Sequence, residues 1–272
     1  MEWIVLLLIG LVAGTLGSVM GLGGGIVIVP ALLLFAYYLP ILNHMTPQVA
    51  VGTSLLIMIF TGLSSTFAYM KQKKIDFKSG AIFFTGSAPG ALFGVWLNKG
   101  INVDAFFLYF GLFILFVSFI LFIRNHIKPL PGRLSGVERS HIDQEGHHYT
   151  YRFHPFIAII IAFCVGMVSG LFGVGGGSLM VPAMIVLFGF PPHIAVATSM
   201  FMILLSSIVG SISHIALGNV DWFLATALIP GAWFGGQLGA AINRRLSSDT
   251  LVMVFRIFLI VMAIRLIFNG SF

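Results

Sequence analysis

GTLGSVMGLGGGIVIVPAL (14–32) and GMVSGLFGVGGGSLMVPAM (166–184) are two versions of one stretch, and they decide the fold. Aligned, they place Gly14 over Gly166, Gly21 over Gly173 and Pro30 over Pro182. Three further matches follow in the same order. TPQVAVGTS (46–54) pairs with PPHIAVATS (191–199), KIDF (74–77) with NVDW (219–222), and APGALFG (88–94) with IPGAWFG (229–235). Chance does not produce four blocks in one order. A period this long is not that of a solenoid, so the chain is a duplicated domain.

Outward from these blocks the sequence is apolar almost throughout. Only 8% of residues are charged and 58% are apolar, with a mean hydropathy of +1.06; soluble domains carry roughly a quarter charged residues. Glu2 is the only acidic or basic residue before Lys71. So little charge cannot cover a water-soluble surface, whereas in a bilayer apolar surface faces lipid and each span needs about 20 apolar residues. The net charge of +6 sits in short loops between apolar runs, which is orientation signal rather than a nucleic-acid face. The N-terminus lacks a basic leader region and reads as a first membrane segment. Cys164 is the single cysteine and, lying within an apolar run, reads as a packing residue.

The apolar runs fall at 3–20, 26–39, 48–70, 78–97, 104–123, 156–172, 177–190, 194–217, 222–242 and 249–268. The polar stretch 124–155, rich in charge, His, Pro and Gly, divides them five and five and reads as a linker. The expected architecture is an all-α polytopic membrane protein of two inverted five-segment repeats, 1–123 and 156–272, with about 8–10 transmembrane helices. Five is odd, so the second repeat starts on the opposite side from the first. Strict alternation brings Lys71, Lys73, Lys74 and Lys78, the five basic residues of the linker, and Arg244 and Arg245 to one side. The positive-inside rule makes that side the cytoplasm and leaves both termini outside, in a bacterial or archaeal plasma membrane.

Segments 26–39 and 177–190 are too short to span a hydrocarbon core of about 30 Å. Each follows a glycine cluster, Gly23-Gly24-Gly25 or Gly175-Gly176-Gly177, and each carries an early proline. Paired short, Gly/Pro-interrupted segments point to a transporter's binding site, whether they span or re-enter. Glycine lets backbone approach a ligand closely, and a helix start offers unpaired N–H groups and a positive dipole end to an anion. Two such starts could grip one oxyanion near the midplane. The same glycines would equally serve tight helix packing. Thr53, Ser54, Thr198 and Ser199 lie early in long runs, where hydroxyls donate either to an oxyanion or to their own helix.

Arg256 lies within the last run, placed to attract an anion or to reach the cytoplasmic interface; Arg265, nearer the outer end, snorkels outward. Asp76, Asp104, Asp221 and Asp249 each stand where a helix begins and read as N-caps. No carboxylate falls mid-segment, so no carboxylate proton relay is expected. His44, His193 and His214 read as surface-facing, and the linker histidines lack metal-ligand spacing. Without a P-loop or dinucleotide fingerprint, no cofactor is expected.

The duplicated glycine block with VP, followed by VGTS or VATS, resembles the TauE/SafE (toluene-sulfonate uptake permease, sulfite exporter) family, and the likeness covers nearly the whole chain. One mild departure is Ser169-Gly170 where the first half has Gly17-Ser18. The resemblance implies an inner-membrane carrier for sulfite or an organosulfonate, working by alternating access. Its partners would be that small anion, the lipid bilayer and a coupling ion, with no nucleic acid; no oligomeric state follows. Two other readings stand beside it. One is an anion channel of the same architecture; the other is an intramembrane enzyme using Ser18 or Ser178 with His214.

Overall fold

Long apolar runs need every backbone polar group satisfied within the segment, and in a bilayer the helix does this. The computed structural model describes residues 2–36, 45–123, 136–142, 148–245 and 259–267. Helices α1 (Glu2–Met20), α2 (Gly25–Phe35), α3 (Pro47–Lys71), α4 (Phe77–Gly100) and α5 (Val103–Ile123) come from the first half. Helices α6 (Pro155–Phe172), α7 (Gly177–Val186), α8 (Pro192–Ala216) and α9 (Trp222–Arg245) follow in the second, with residues 259–267 forming α10. Among the described residues, α1, α3, α4, α5, α6 and α8 are long and apolar enough to cross a membrane. The protein is an all-α, multi-pass membrane protein. Arg256 and Asp249 lie outside the described residues.

Local chemistry sets the helix starts. Asp76 and Asp221 accept the amides of Ser79 and Leu224, capping α4 and α9 as their positions imply. At α5 the cap is Asn102, whose Oδ1 accepts the Ala105 amide, while Asp104 sits in the first turn, where it complements the dipole. Pro47, Pro155 and Pro192 occupy first positions, where no amide is needed.

α3 and α8 form the centre: 78% of each span is buried, against 39–44% for the other candidate spans. Around them the halves interlace. α1 packs most closely on α9, and α4 on α6, so the first helix of each repeat lies against the fourth of the other. Glycines at four-residue spacing bring backbones into contact along these seams. A methyl on Gly90 would lie 2.1 Å from the Phe163 carbonyl oxygen, and one on Gly231 2.1 Å from that of Leu7. Large side chains such as Trp96, Phe116, Phe156 and Phe234 cover the outside.

Besides the Asp104 cap, whose place Asn102 takes, one expectation is corrected here. Cys164 is exposed on α6 rather than packed, because in a bilayer an apolar position can face lipid as readily as core. Within the linker, β1 (Val137–Ile142) pairs antiparallel with β2 (His148–Phe153), register Arg139 to Tyr151. Tyr151 and Phe153 alternate inward and bury themselves among Phe83, Phe188 and Phe190, and the His141 ring meets the Lys73 carbonyl at 2.7 Å.

Candidate functional site

The chain leaves helix after α1 at Gly21–Gly24 and after α6 at Gly173–Gly176. Gly23 and Gly24 (φ 81° and 92°), like Gly175 and Gly176 (80° and 72°), hold left-handed backbone that a side chain would strain. Gly24 and Gly176 cap the short helices α2 and α7. Their 11 and 10 residues give about 15 Å of helix, half a hydrocarbon core. The helical ladders begin at Val27, bonded to Gly24, and at Leu179, bonded to Gly176. The amides of Gly25, Ile26, Gly177 and Ser178 therefore precede any helical partner.

The two loops meet. A methyl on Gly25 would stand 2.1 Å from the Gly173 oxygen, and one on Gly177 1.9 Å from the Gly21 oxygen. Side chains of the opposite repeat tie them down. Ser54 Oγ donates to the Gly173 carbonyl at 2.9 Å, and Ser199 Oγ donates to the Gly21 carbonyl at 2.8 Å. Thr53 accepts the Asp221 amide at 3.0 Å and Thr198 accepts the Asp76 amide at 3.1 Å. All four hydroxyls are buried. Each bond therefore joins one repeat to the other, a fate different from both back-bonding and free donation.

Met58 and Ile203 fill the space between the loops. The Met58 methyl would come within 3.0 Å of a methyl on Gly23 and 2.0 Å of one on Gly175, and Ile203 approaches both positions as well. Extending the VGTS/VATS alignment by four residues places Met58 over Ile203, so the signal was in the sequence. WLNK (96–99) over AINR (241–244) is a further match. It carries Asn98, which donates to the Leu171 carbonyl, and Asn243, which donates to that of Val19, both at 2.7 Å.

His214 is fully buried in α8, which corrects the surface-facing expectation; His193 is exposed as expected. The equivalent of His214 is Tyr69, whose hydroxyl donates to the Ser18 carbonyl at 2.8 Å, while the His214 ring lies 3.5 Å from the matching Gly170 carbonyl. Ser18 itself donates to the Gly236 carbonyl, so neither Ser18 nor Ser178 is bonded to His214. Arg265 is half-buried beside Pro30 and Leu33 of α2. Among the described residues no three of His, Cys, Asp or Glu are placed to hold a metal ion.

At the α3–α4 turn, Asp76 is buried under the hairpin. Its carboxylate accepts from the Ser79 hydroxyl and amide and from Tyr151 Oη at 2.7 Å. Burial pushes its pKa up, but these bonds and the nearby Arg139 overcome that and hold it below the usual carboxylate range. Burial, with the Asp76 carboxylate, pushes the Tyr151 phenol up.

A family model described as sulfite exporter TauE/SafE matches residues 6–266. YunE of Bacillus subtilis, a probable membrane transporter protein, is 52% identical over 272 residues, the whole of both chains. A probable membrane transporter protein of Xylella fastidiosa is 28% identical over 97% of this chain and 92% of its own. MJ0441 of Methanocaldococcus jannaschii, of the same description, is 28% identical over 90% and 88%. No solved structure matches.

Proposed function

The chain belongs to the sulfite exporter TauE/SafE family, and from that premise we propose a secondary carrier for a small anion, sulfite or an organosulfonate. The observation that carries this reading is the meeting of two short helix starts, one from each repeat, behind left-handed glycine loops. A sulfonate or sulfite has three oxygens to accept amide hydrogens, and two positive helix ends favour its charge. Gly23, Gly24, Gly25, Gly175, Gly176 and Gly177 supply the backbone. Ser54 and Ser199 hold the loops in place across the repeats, Thr53 and Thr198 hold the turns at Asp221 and Asp76, and all four act as positioning residues.

The two repeats lie inverted in the plasma membrane, with 124–155 cytoplasmic and both termini outside. Alternating access opens the loops to one side at a time. The side chains that close the gap, Met58 and Ile203, move as the anion enters, and methionine's unbranched chain suits that task. Because α1 packs on α9 and α4 on α6, the bodies that rock are helix pairs drawn from both repeats. Filled space between the loops favours a carrier over an open channel, and the absence of a hydrogen bond linking Ser18 or Ser178 to His214 favours transport over catalysis.

Counterflow tests it. Proteoliposomes preloaded with unlabelled sulfite should transiently accumulate labelled sulfite, with a saturable initial rate. Flux that neither saturates nor supports counterflow would turn the reading to a channel. Thermal stabilisation across sulfite, thiosulfate, sulfate, taurine and sulfoacetate ranks the substrates.

A further inference from the structure

Within the paired centre, the surroundings of the two glycine loops differ in their buried hydroxyls. Ser169, in the last turn of α6, and Ser178, in the first turn of α7, are 1% and 0% exposed, and neither hydroxyl has a hydrogen-bond partner. Their equivalents in the first repeat are Gly17 and Ile26, which carry no hydroxyl. Both serines flank the second loop. The Ser169 side chain faces the N-cap of α7, because a methyl on Gly176 would lie 3.6 Å from its Cβ. Ser178 stands on the helix start itself, beside the amides of Gly177 and Ser178 that precede the ladder.

A buried hydroxyl without a partner is costly, and such groups are rare in native proteins unless something else satisfies them. Among the described residues, the other orphaned hydroxyls, on Thr66 and Ser211, stand at equivalent positions of the two repeats. Those of Ser169 and Ser178 have no counterparts and are gathered at one helix start. We propose that the transported oxyanion binds off-centre, at the second repeat's loop, with Ser169 and Ser178 donating their hydroxyls beside the first amides of α7. The first repeat's loop, flanked by Gly17 and Ile26, then closes the site. This placement rests on the carrier reading and names its anion-contacting side chains.

The test uses the purified, full-length protein in nanodiscs, with sulfite as probe. Its affinity and the ligand-free melting temperature are measured for wild type, Ser169→Ala, Ser178→Ala and the double variant. Ser207→Ala, whose hydroxyl bonds to the Leu204 carbonyl, is the control. A hydrogen bond to a charged group is worth enough that each single variant should weaken sulfite binding about tenfold and the double variant roughly a hundredfold. The ligand-free protein should melt no lower, because removing an unpaired hydroxyl breaks no bond. The control should bind as wild type. A double variant that binds sulfite with wild-type affinity overturns this placement and leaves the carrier standing. A wild-type protein that binds neither sulfite nor any of thiosulfate, sulfate, taurine and sulfoacetate overturns the carrier reading and the placement with it.

Discussion

Ser54 and Ser199 make the same bond from opposite repeats, and so do Thr53 and Thr198, and Asn98 and Asn243. Asp76 and Asp221 begin alike, each capping a helix and each lending its amide to a threonine of the other repeat. They then part, because the hairpin lays Tyr151 over Asp76. The duplicated contacts hold the centre together. The unpaired ones show where one repeat has been given something to do that the other has not. Substitutions at equivalent positions separate the two kinds.

The largest effect should come from the contact most nearly the same on both sides. Gly25→Ala and Gly177→Ala each drive a methyl to about 2 Å from a carbonyl oxygen of the opposite loop. Backbone cannot step aside as a side chain can, and overpacking of this kind costs about 3 kcal/mol or more. Both variants should lose most monodisperse protein after detergent extraction, and to a similar extent. A methyl tolerated at one position alone would break the equivalence of the loops.

The next effect should be unequal. Asp76→Ala removes a cap and two further charge-assisted bonds and should cost more than Tyr151→Phe, which removes only the bond the hairpin supplies, about 1.5 kcal/mol. Thermal melts of the purified variants measure the hairpin's share, and a Tyr151→Phe variant as stable as wild type would mean the hairpin adds nothing. Acid supplies a second view. The folded Asp76 carboxyl titrates below its unfolded counterpart, so its contribution is complete above the unfolded pKa of about 4. It is lost as pH falls through the lower folded value. Wild type should lose stability below about pH 4, and Asp76→Asn should lose less over the same interval.

Much of this was legible beforehand, for physical reasons. Apolar runs in a low-charge chain leave one solvent that can hold them, and glycine clusters repeated before short helices have few roles. What failed to show was direction. Nothing in one apolar run says which face meets lipid, so Cys164 was misplaced, and His214 passed for a surface residue although Tyr69, its equivalent, is bulky and half apolar. The hairpin carried a period-two signal in Tyr149, Tyr151 and Phe153, hidden among charges that mark a loop. The cross-repeat bonds of Ser54 and Ser199 belong to tertiary structure alone, because each partner lies more than a hundred residues away.

The smallest effect should separate Tyr69 from His214. Tyr69 Oη reaches the Ser18 carbonyl at 2.8 Å, a sound geometry for a neutral hydrogen bond, worth about 1 kcal/mol net. The His214 ring stands 3.5 Å from the Gly170 carbonyl and 3.5 Å from the Asn219 amide nitrogen, at the outer limit of bonding. Phenylalanine matches the Tyr69 ring, and leucine the smaller His214 imidazole, closely enough in volume to test the polar contact. Tyr69→Phe should lower stability by about 1 kcal/mol, and His214→Leu by less than half of that. The order follows from geometry, since both side chains are fully buried on equivalent helices. If His214→Leu costs the more, the imidazole makes a bond that these distances do not reflect, and the second repeat's extra polarity extends from its glycine loop to α8.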